Sequence, residues 1–160
     1  MKIGDILKQE LILPELQAMH KADVLHEMVV HLQLHSGPFV QNTAYVLDAL
    51  LTRERLGSTG VGEGVAIPHA KIAGLKDLMA CFARKQQGIS YDAIDEQPVK
   101  LVFMLLVPEN SAGVHLKALA RISRLLKNAE FRARLLQMPD AQAVYGAFID
   151  EDGKHQQHYV

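Results

Sequence analysis

Apolar residues along the chain fall first in a helical rhythm, then in a strand rhythm, then in a helical rhythm again. From Ala22, the positions Val24, Leu25, Met28, Val29 and Leu32 recur at spacings of three and four, which places them on one stripe of an α-helix. Gly37-Pro38 is positioned to end that helix. Asn42 or Thr43 is positioned to cap a second one, carrying Val46, Leu47, Leu50 and Leu51 and giving way at Gly57. Two strands are predicted at Leu78 to Lys85 and Lys100 to Val107. The run from Leu101 to Val107 shows no polar alternation, the pattern of a strand buried on both faces in the middle of an α/β sheet. After the turn Pro108-Glu109-Asn110-Ser111, the residues Leu116, Leu119, Ile122, Leu125 and Leu126 form another helical stripe. A shorter helix from Glu130 to Gln137 and a last one from Asp140 to about Ile149 complete the pattern.

Helices, several short strands and helices again predict an α/β fold, a small mixed, mostly parallel sheet with helices on both faces. One domain is expected over residues 1–150, followed by a polar, frayed tail over 151–160. Hydrophobic residues make up 49% of the 160 positions and charged residues 22%, which excludes a disordered chain. The net charge of −1, four Tyr, five Phe and no Trp argue against a nucleic-acid surface, which needs basic excess and stacking rings. The single cysteine, Cys81, excludes an internal disulfide or a Cys-rich zinc site and fits a reducing cytoplasm. Neither the opening Met1-Lys2-Ile3-Gly4-Asp5 nor the longest apolar run reads as a targeting or membrane segment; about 20 apolar residues are needed to span a bilayer.

The segment from Gly57 to Gly64 holds glycines at 57, 60, 62 and 64, a backbone built for unusual dihedrals or close approach. Gly57 to Gly62 opens like a Walker A loop, yet Glu63 and Gly64 stand where Lys and Ser/Thr must hold the phosphates and magnesium. Gly60-Val61-Gly62 begins a dinucleotide fingerprint, but no buried strand precedes it and no helix follows. What remains is a tight turn that delivers Pro68-His69 to the end of a short strand, with small residues Ala66 and Ala70 around it. Neutral imidazole is a nucleophile near pH 7. On spacing alone, a histidine that merely hydrogen-bonds its own turn accounts for His69 better. A metal hydrolase is the rival enzyme class, since His31 and His35 stand four apart with His20 and His26 upstream. Leu32 occupies the position where such a motif needs Glu, and no carboxylate third ligand accompanies the pair. His155 and His158 sit in the polar tail. No metal and no cofactor are expected.

The run Leu51-Thr52-Arg53-Glu54-Arg55-Leu56-Gly57-Ser58-Thr59-Gly60-Val61-Gly62-Glu63-Gly64-Val65-Ala66-Ile67-Pro68-His69 resembles the signature of type-2 enzyme IIA domains of the phosphoenolpyruvate-dependent phosphotransferase system, the fructose/mannitol class. Tyr91 to Val99 and Leu105-Leu106-Val107-Pro108 resemble the nitrogen-regulatory branch in particular, and the likeness runs from about residue 3 to 150. The resemblance implies a regulatory phosphocarrier in the cytoplasm. His69 would take a phosphoryl group, as a tele-phosphohistidine, from an HPr-like carrier, and phosphorylation state would govern association with potassium-transport proteins and sensor kinases. The alternative within the family is a sugar-transport IIA that passes the group to a IIB domain.

The resemblance also implies that Arg53, sixteen residues before His69, and His115, at the opening of a later helix, belong to the same centre. A guanidinium can fork onto phosphate oxygens, and a histidine near a helix N-terminus can add a hydrogen bond. Ser58, Thr59 and the glycine N–H groups are weaker phosphate-binding candidates. Each has a plainer reading: Arg53 as a solvated helix charge, with Glu54 and Arg55 beside it, His115 as a helix cap, and Ser58 and Thr59 as turn formers. Glu63 is expected close enough to His69 to slow transfer, and Val114 makes the motif around His115 looser than the first.

Overall fold

The structure, a computed structural model, describes residues 1–36, 41–111 and 113–157, the last three without their side chains. Single 3-10 turns at Ile3–Asp5 and Gln9–Leu11 lead into strand β1 (Ile12–Leu13). Helices α1 (Lys21–His35) and α2 (Thr43–Arg55) follow. All five residues of the first predicted stripe are buried. The expected stop at Gly37-Pro38 lies outside the described residues. Asn42 is the cap of α2: its Oδ1 accepts the Tyr45 N–H at 2.8 Å, satisfying one of the orphan donors of the first turn.

Three short strands come next, β2 (Gly60–Gly62), β3 (Val65–Ala66) and β4 (His69–Ile72), then two long ones, β5 (Met79–Ile89) and β6 (Val99–Pro108). The sheet order is β1-β5-β6-β3-β2, with β4 also paired to β6. Among the described residues β1–β5, β3–β6 and β4–β6 run parallel while β5–β6 and β2–β3 run antiparallel, giving the mixed sheet expected. Leu101 to Val107 are all buried, as the unbroken apolar run predicted.

The pleat of the central pair divides the core. Phe82 stands opposite Phe103, and both rings meet Phe148. Phe148 belongs to α5 (Ala141–Gln157), and its ring also meets Phe131 of α4 (Ala129–Gln137). Cys81, next along the strand, is buried on the other face, with its Sγ 3.8 Å from the Met28 carbonyl of α1. Helices therefore cover both faces. Strand β5 runs on through Arg84 and Lys85, which are buried and give their donors to backbone carbonyls, Arg84 Nε to Pro14 and Lys85 Nζ to Leu16, each at 2.8 Å.

Three expectations change. The strand predicted to end at His69 is interrupted at Ile67-Pro68 and resumes, so His69 opens β4 opposite Leu105. Pro68 has no N–H for the ladder, but its carbonyl accepts the Leu105 N–H at 2.9 Å, and the register along β6 survives the break. In α3 (Val114–Lys127) the residues Ile122, Leu125 and Leu126 are buried, whereas Leu116, in the first turn, is 61% exposed. The chain also does not fray at Glu151: α5 continues to Gln157, and Glu151 and Asp152 are buried. The Asp152 carboxylate accepts the Ile3 N–H at 2.8 Å and Arg121 Nε at 2.6 Å. A polar sequence there hides a clamp on the N-terminus, because buried acids carry no hydrophobic signal.

Candidate functional site

A cavity of about 610 Å³ opens between α2, β4 and the first turns of α3, and Arg53, His69 and His115 all line it. Three residues grouped by resemblance in the sequence are thus brought to one place by three separate elements. The cavity wall on α2 follows helical geometry. From Arg53, steps of three and four reach Leu56, Ala49 and Tyr45, all of which line it. Tyr45, Asp48 and Thr52 are not among the sequence candidates, yet their spacing of three and four from one another, on the stripe beside Arg53, is the signal that points to this face.

His69 is half-buried at the start of β4. Its Nδ1 is 2.8 Å from the Ile67 carbonyl. A carbonyl only accepts, so Nδ1 carries the proton and donates, and Nε2 keeps its lone pair. Burial lowers the His69 pKa from the ordinary value of about 6.5. The Ile67 carbonyl and the Glu54 charge oppose that shift, while the Arg53 and His115 charges add to it. The ring is neutral at neutral pH. An NMR titration of the His69 ring should therefore show a midpoint below about 6.5, and Arg53→Ala should move it upward by removing one of the depressing charges. A midpoint at or above the ordinary value would contradict this placement of the ring.

Arg53, in the last turn of α2, is fixed by its Nη1, which donates to the Gly57 carbonyl at 2.8 Å. His115 is the second residue of α3, behind Gly113 at φ 87°, and its Nδ1 lies 3.4 Å from the Ser111 carbonyl. His31, by contrast, turns its Nε2 to the Glu10 carbonyl at 2.7 Å and lies against the His35 ring at a tilt of 41°, with centroids 4.3 Å apart.

The weaker candidates fare differently. Thr59 is buried, its hydroxyl donating to Glu54 Oε1 and its N–H to Glu54 Oε2 at 3.1 Å. It does not face the cavity, and its hydroxyl is not open to a phosphate there. Ser58 Oγ accepts the Gly60 N–H at 3.0 Å, which makes it a turn former. Glu54, expected to be solvated, is instead buried, and Lys21 Nζ and the Tyr91 hydroxyl reach its carboxylate at 3.1 and 3.0 Å. Burial first, and then the Glu54 charge, pushes the Tyr91 hydroxyl up, so it stays a protonated donor. Glu63 does not face His69: its exposed carboxylate lies 3.4 Å from Arg132 Nη2, on a separate pocket between β2, β3 and the ends of α3 and α4.

The family model described as "Phosphoenolpyruvate-dependent sugar phosphotransferase system, EIIA 2" matches residues 5–151. The chain belongs to this IIA family. It is accordingly a component of the phosphotransferase system, and its relatives include regulatory members. It is 44% identical over 145 residues to a nitrogen regulatory protein of Bradyrhizobium diazoefficiens, covering 91% of this chain and 93% of that protein. It is 39% identical over 152 residues to the fructose-specific EIIABC component of Bacillus subtilis, of which it spans 24%. Among solved structures, nitrogen regulatory protein IIA-Ntr from Neisseria meningitidis superposes with a TM-score of 0.83 at 36% identity, covering 91% of this IIA chain and 98% of that one. Among the described residues of this IIA protein, no helix is long and apolar enough to cross a membrane.

Proposed function

We propose that the chain is a cytoplasmic regulatory phosphocarrier in which His69 accepts a phosphoryl group at Nε2 from the phosphohistidine of an HPr-like carrier. The observation that carries this reading is the Nδ1–H bond to the Ile67 carbonyl, which leaves Nε2 as the nucleophilic nitrogen of a ring that lines the cavity. The step balances without a base. The donor's N–P bond breaks, its electron pair returns to the donor ring, and the His69 Nε2 lone pair forms the new N–P bond. A donor ring that keeps its own N–H leaves neutral, while the His69 ring, keeping Nδ1–H, takes the positive charge that the Ile67 carbonyl faces.

Transfer between two imidazoles needs alignment and neutralisation of the moving charge more than covalent assistance. Arg53 supplies a guanidinium fixed on Gly57, with a planar fork suited to phosphate oxygens. His115 turns Nδ1 toward the Ser111 carbonyl, which leaves Nε2 as the nitrogen to meet an arriving phosphoryl group. A phosphoryl group adds roughly −1.5 to −2 charges, here on a surface where Leu56 and Leu116 are 82% and 61% exposed. Association with potassium-transport proteins and sensor kinases would respond to that charge by repulsion or by a new arginine pair. The match to nearly the full length of a nitrogen regulatory protein supports the regulatory reading. The likeness to the EIIABC component supports a second one, a sugar-transport IIA that passes the group to a IIB domain.

Intact-mass measurement after incubation with phosphoenolpyruvate, enzyme I and an HPr-like carrier tests the phosphocarrier reading. Wild type should gain about 80 Da, one phosphoryl group, and His69→Ala should gain nothing. Equal gains in both would remove His69 from the role. Adding a IIB domain then separates the branches, because only a transport IIA loses the group to it.

A further inference from the structure

One buried carboxylate stands behind the site. Glu54 follows Arg53 in α2, but its side chain is 4% exposed and turned inward. It is surrounded by donors from the adjoining turn and from two distant parts of the chain. Oε1 accepts from the Thr59 hydroxyl and from the Tyr91 hydroxyl at 3.0 Å. Oε2 accepts from the Thr59 N–H and from Lys21 Nζ, each at 3.1 Å. Four donors fill the acceptor sites of an ionised carboxylate, and Lys21 supplies the compensating charge. Burying such a group is costly and seldom the best route to stability, since an apolar cluster of the same volume usually does as well. The position of its partners shows what the carboxylate organises.

The bonds continue from Glu54 to the reactive ring. Thr59, held at both its N–H and its hydroxyl, presents its carbonyl to the Ile67 N–H at 2.9 Å. Ile67 in turn presents its carbonyl to His69 Nδ1 at 2.8 Å. The same turn is gripped at its start, where the Gly57 N–H bonds the Glu54 carbonyl at 3.1 Å and the Gly57 carbonyl takes Arg53 Nη1. The turn also fits closely against the neighbouring loop: a Cβ at Gly60 would lie 2.7 Å from the Ala93 Cβ and 2.8 Å from the Ala93 Cα.

We propose that Glu54 is a positioning residue for phosphoryl acceptance: by gathering Thr59, Tyr91 and Lys21 it fixes the turn from Gly57 to Gly60, and through Thr59 and Ile67 it holds His69 as the Nδ1–H tautomer with Nε2 left to react. Glu54 touches neither the ring nor the incoming group. What passes along the chain of contacts is geometry, since the N–H and carbonyl of Thr59, like those of Ile67, belong to different peptide units. The proposal rests on the reading that His69 accepts at Nε2, and its test is chosen so that the two fail separately.

Glu54→Ala removes the acceptor, Thr59→Val removes one hydroxyl at nearly constant volume, and Thr59→Ser keeps it. Nitrogen-15 NMR of the histidine rings, with no phosphate donor present, reads the His69 tautomer. Single-turnover transfer from a prephosphorylated HPr-like carrier reads the rate, and thermal unfolding reads stability. Glu54→Ala and Thr59→Val should unfold cooperatively but show His69 as a mixture of tautomers, with transfer slowed on the order of 10- to 100-fold, the scale expected when a reacting group is misplaced by about 1 Å. Thr59→Ser should keep the wild-type tautomer and rate. Lower melting temperatures with an unchanged tautomer and rate would make the network purely structural and overturn the proposal. If Glu54→Ala does not fold, Thr59→Val decides by the same readings. A wild-type chain that accepts no phosphoryl group would defeat the acceptor reading, while the tautomer comparison would still judge Glu54.

Discussion

Arg53→Ala should accept phosphoryl groups about 100-fold or more slowly while its melting temperature stays within a few degrees of wild type. The guanidinium is half-buried and, among the described residues, its hydrogen bond goes to the Gly57 carbonyl, so removing it exposes no core and strands no buried charge. Its expected contribution lies in the transition state, where negative charge spreads over the equatorial oxygens of the moving group. Loss of one preorganised donor at such a site typically costs about 10²–10³ in rate, roughly 3–4 kcal/mol of barrier. Arg53→Lys should recover part of this, because it restores the charge without the two-pronged geometry. The measurement is single-turnover transfer from a phosphorylated carrier, with circular dichroism melting as the control. Wild-type kinetics in Arg53→Ala would leave Arg53 as a surface charge that merely caps a turn.

The largest stability effect is expected far from the cavity. Phe148 meets Phe82, Phe103 and Phe131 at centroid separations of 4.9, 5.7 and 5.3 Å, each pair close to edge-on. That one ring joins α5 and α4 to the central strands, and its edge-on contacts suit the ring quadrupoles. Phe148→Ala should lower unfolding free energy by about 3–5 kcal/mol, the range for truncating a buried Phe. Against a total of about 5–15 kcal/mol for a typical domain, that is a large fraction. Urea unfolding reads it directly. A loss under about 1 kcal/mol would mean that the cluster collapses around the gap or is looser than its contacts indicate. The His69 ring should keep its tautomer in the folded fraction, because the network holding it runs through Glu54, Thr59 and Ile67.

How much of this is legible in the sequence depends on the kind of residue. Apolar periodicity finds α1, α2 and the two long strands, because Leu, Val and Met recur at regular spacing where one face of an element is buried. It misplaces Leu116, whose spacing fits the stripe of α3 although the first turn of that helix faces the cavity. The glycine-rich run and Pro68-His69 identify the region of the site, since a long motif with fixed spacing is specific where single residues are not. Polar burial is invisible in the sequence. Glu54 looks like Arg55 beside it, and what distinguishes them is Tyr91, 37 residues later, together with Lys21 far upstream. Thr59 reads as a phosphate ligand for the same reason: its spacing is legible and the carboxylate beneath it is not. Asp152 and Glu151 read as part of a solvated tail because their partners, Arg121, Arg134 and the Ile3 N–H, lie in other elements.

The proposed phosphocarrier role turns on which nitrogen of which histidine takes the phosphoryl group. Protein labelled with nitrogen-15 at histidine, phosphorylated through phosphoenolpyruvate, enzyme I and an HPr-like carrier at neutral pH, allows nitrogen–phosphorus couplings to be read by NMR. The expected result is a phosphoryl group on Nε2 of His69, with Nδ1 still protonated and bonded to the Ile67 carbonyl. Phosphorylation at Nδ1 of His69, at His115 or at any other ring would contradict it.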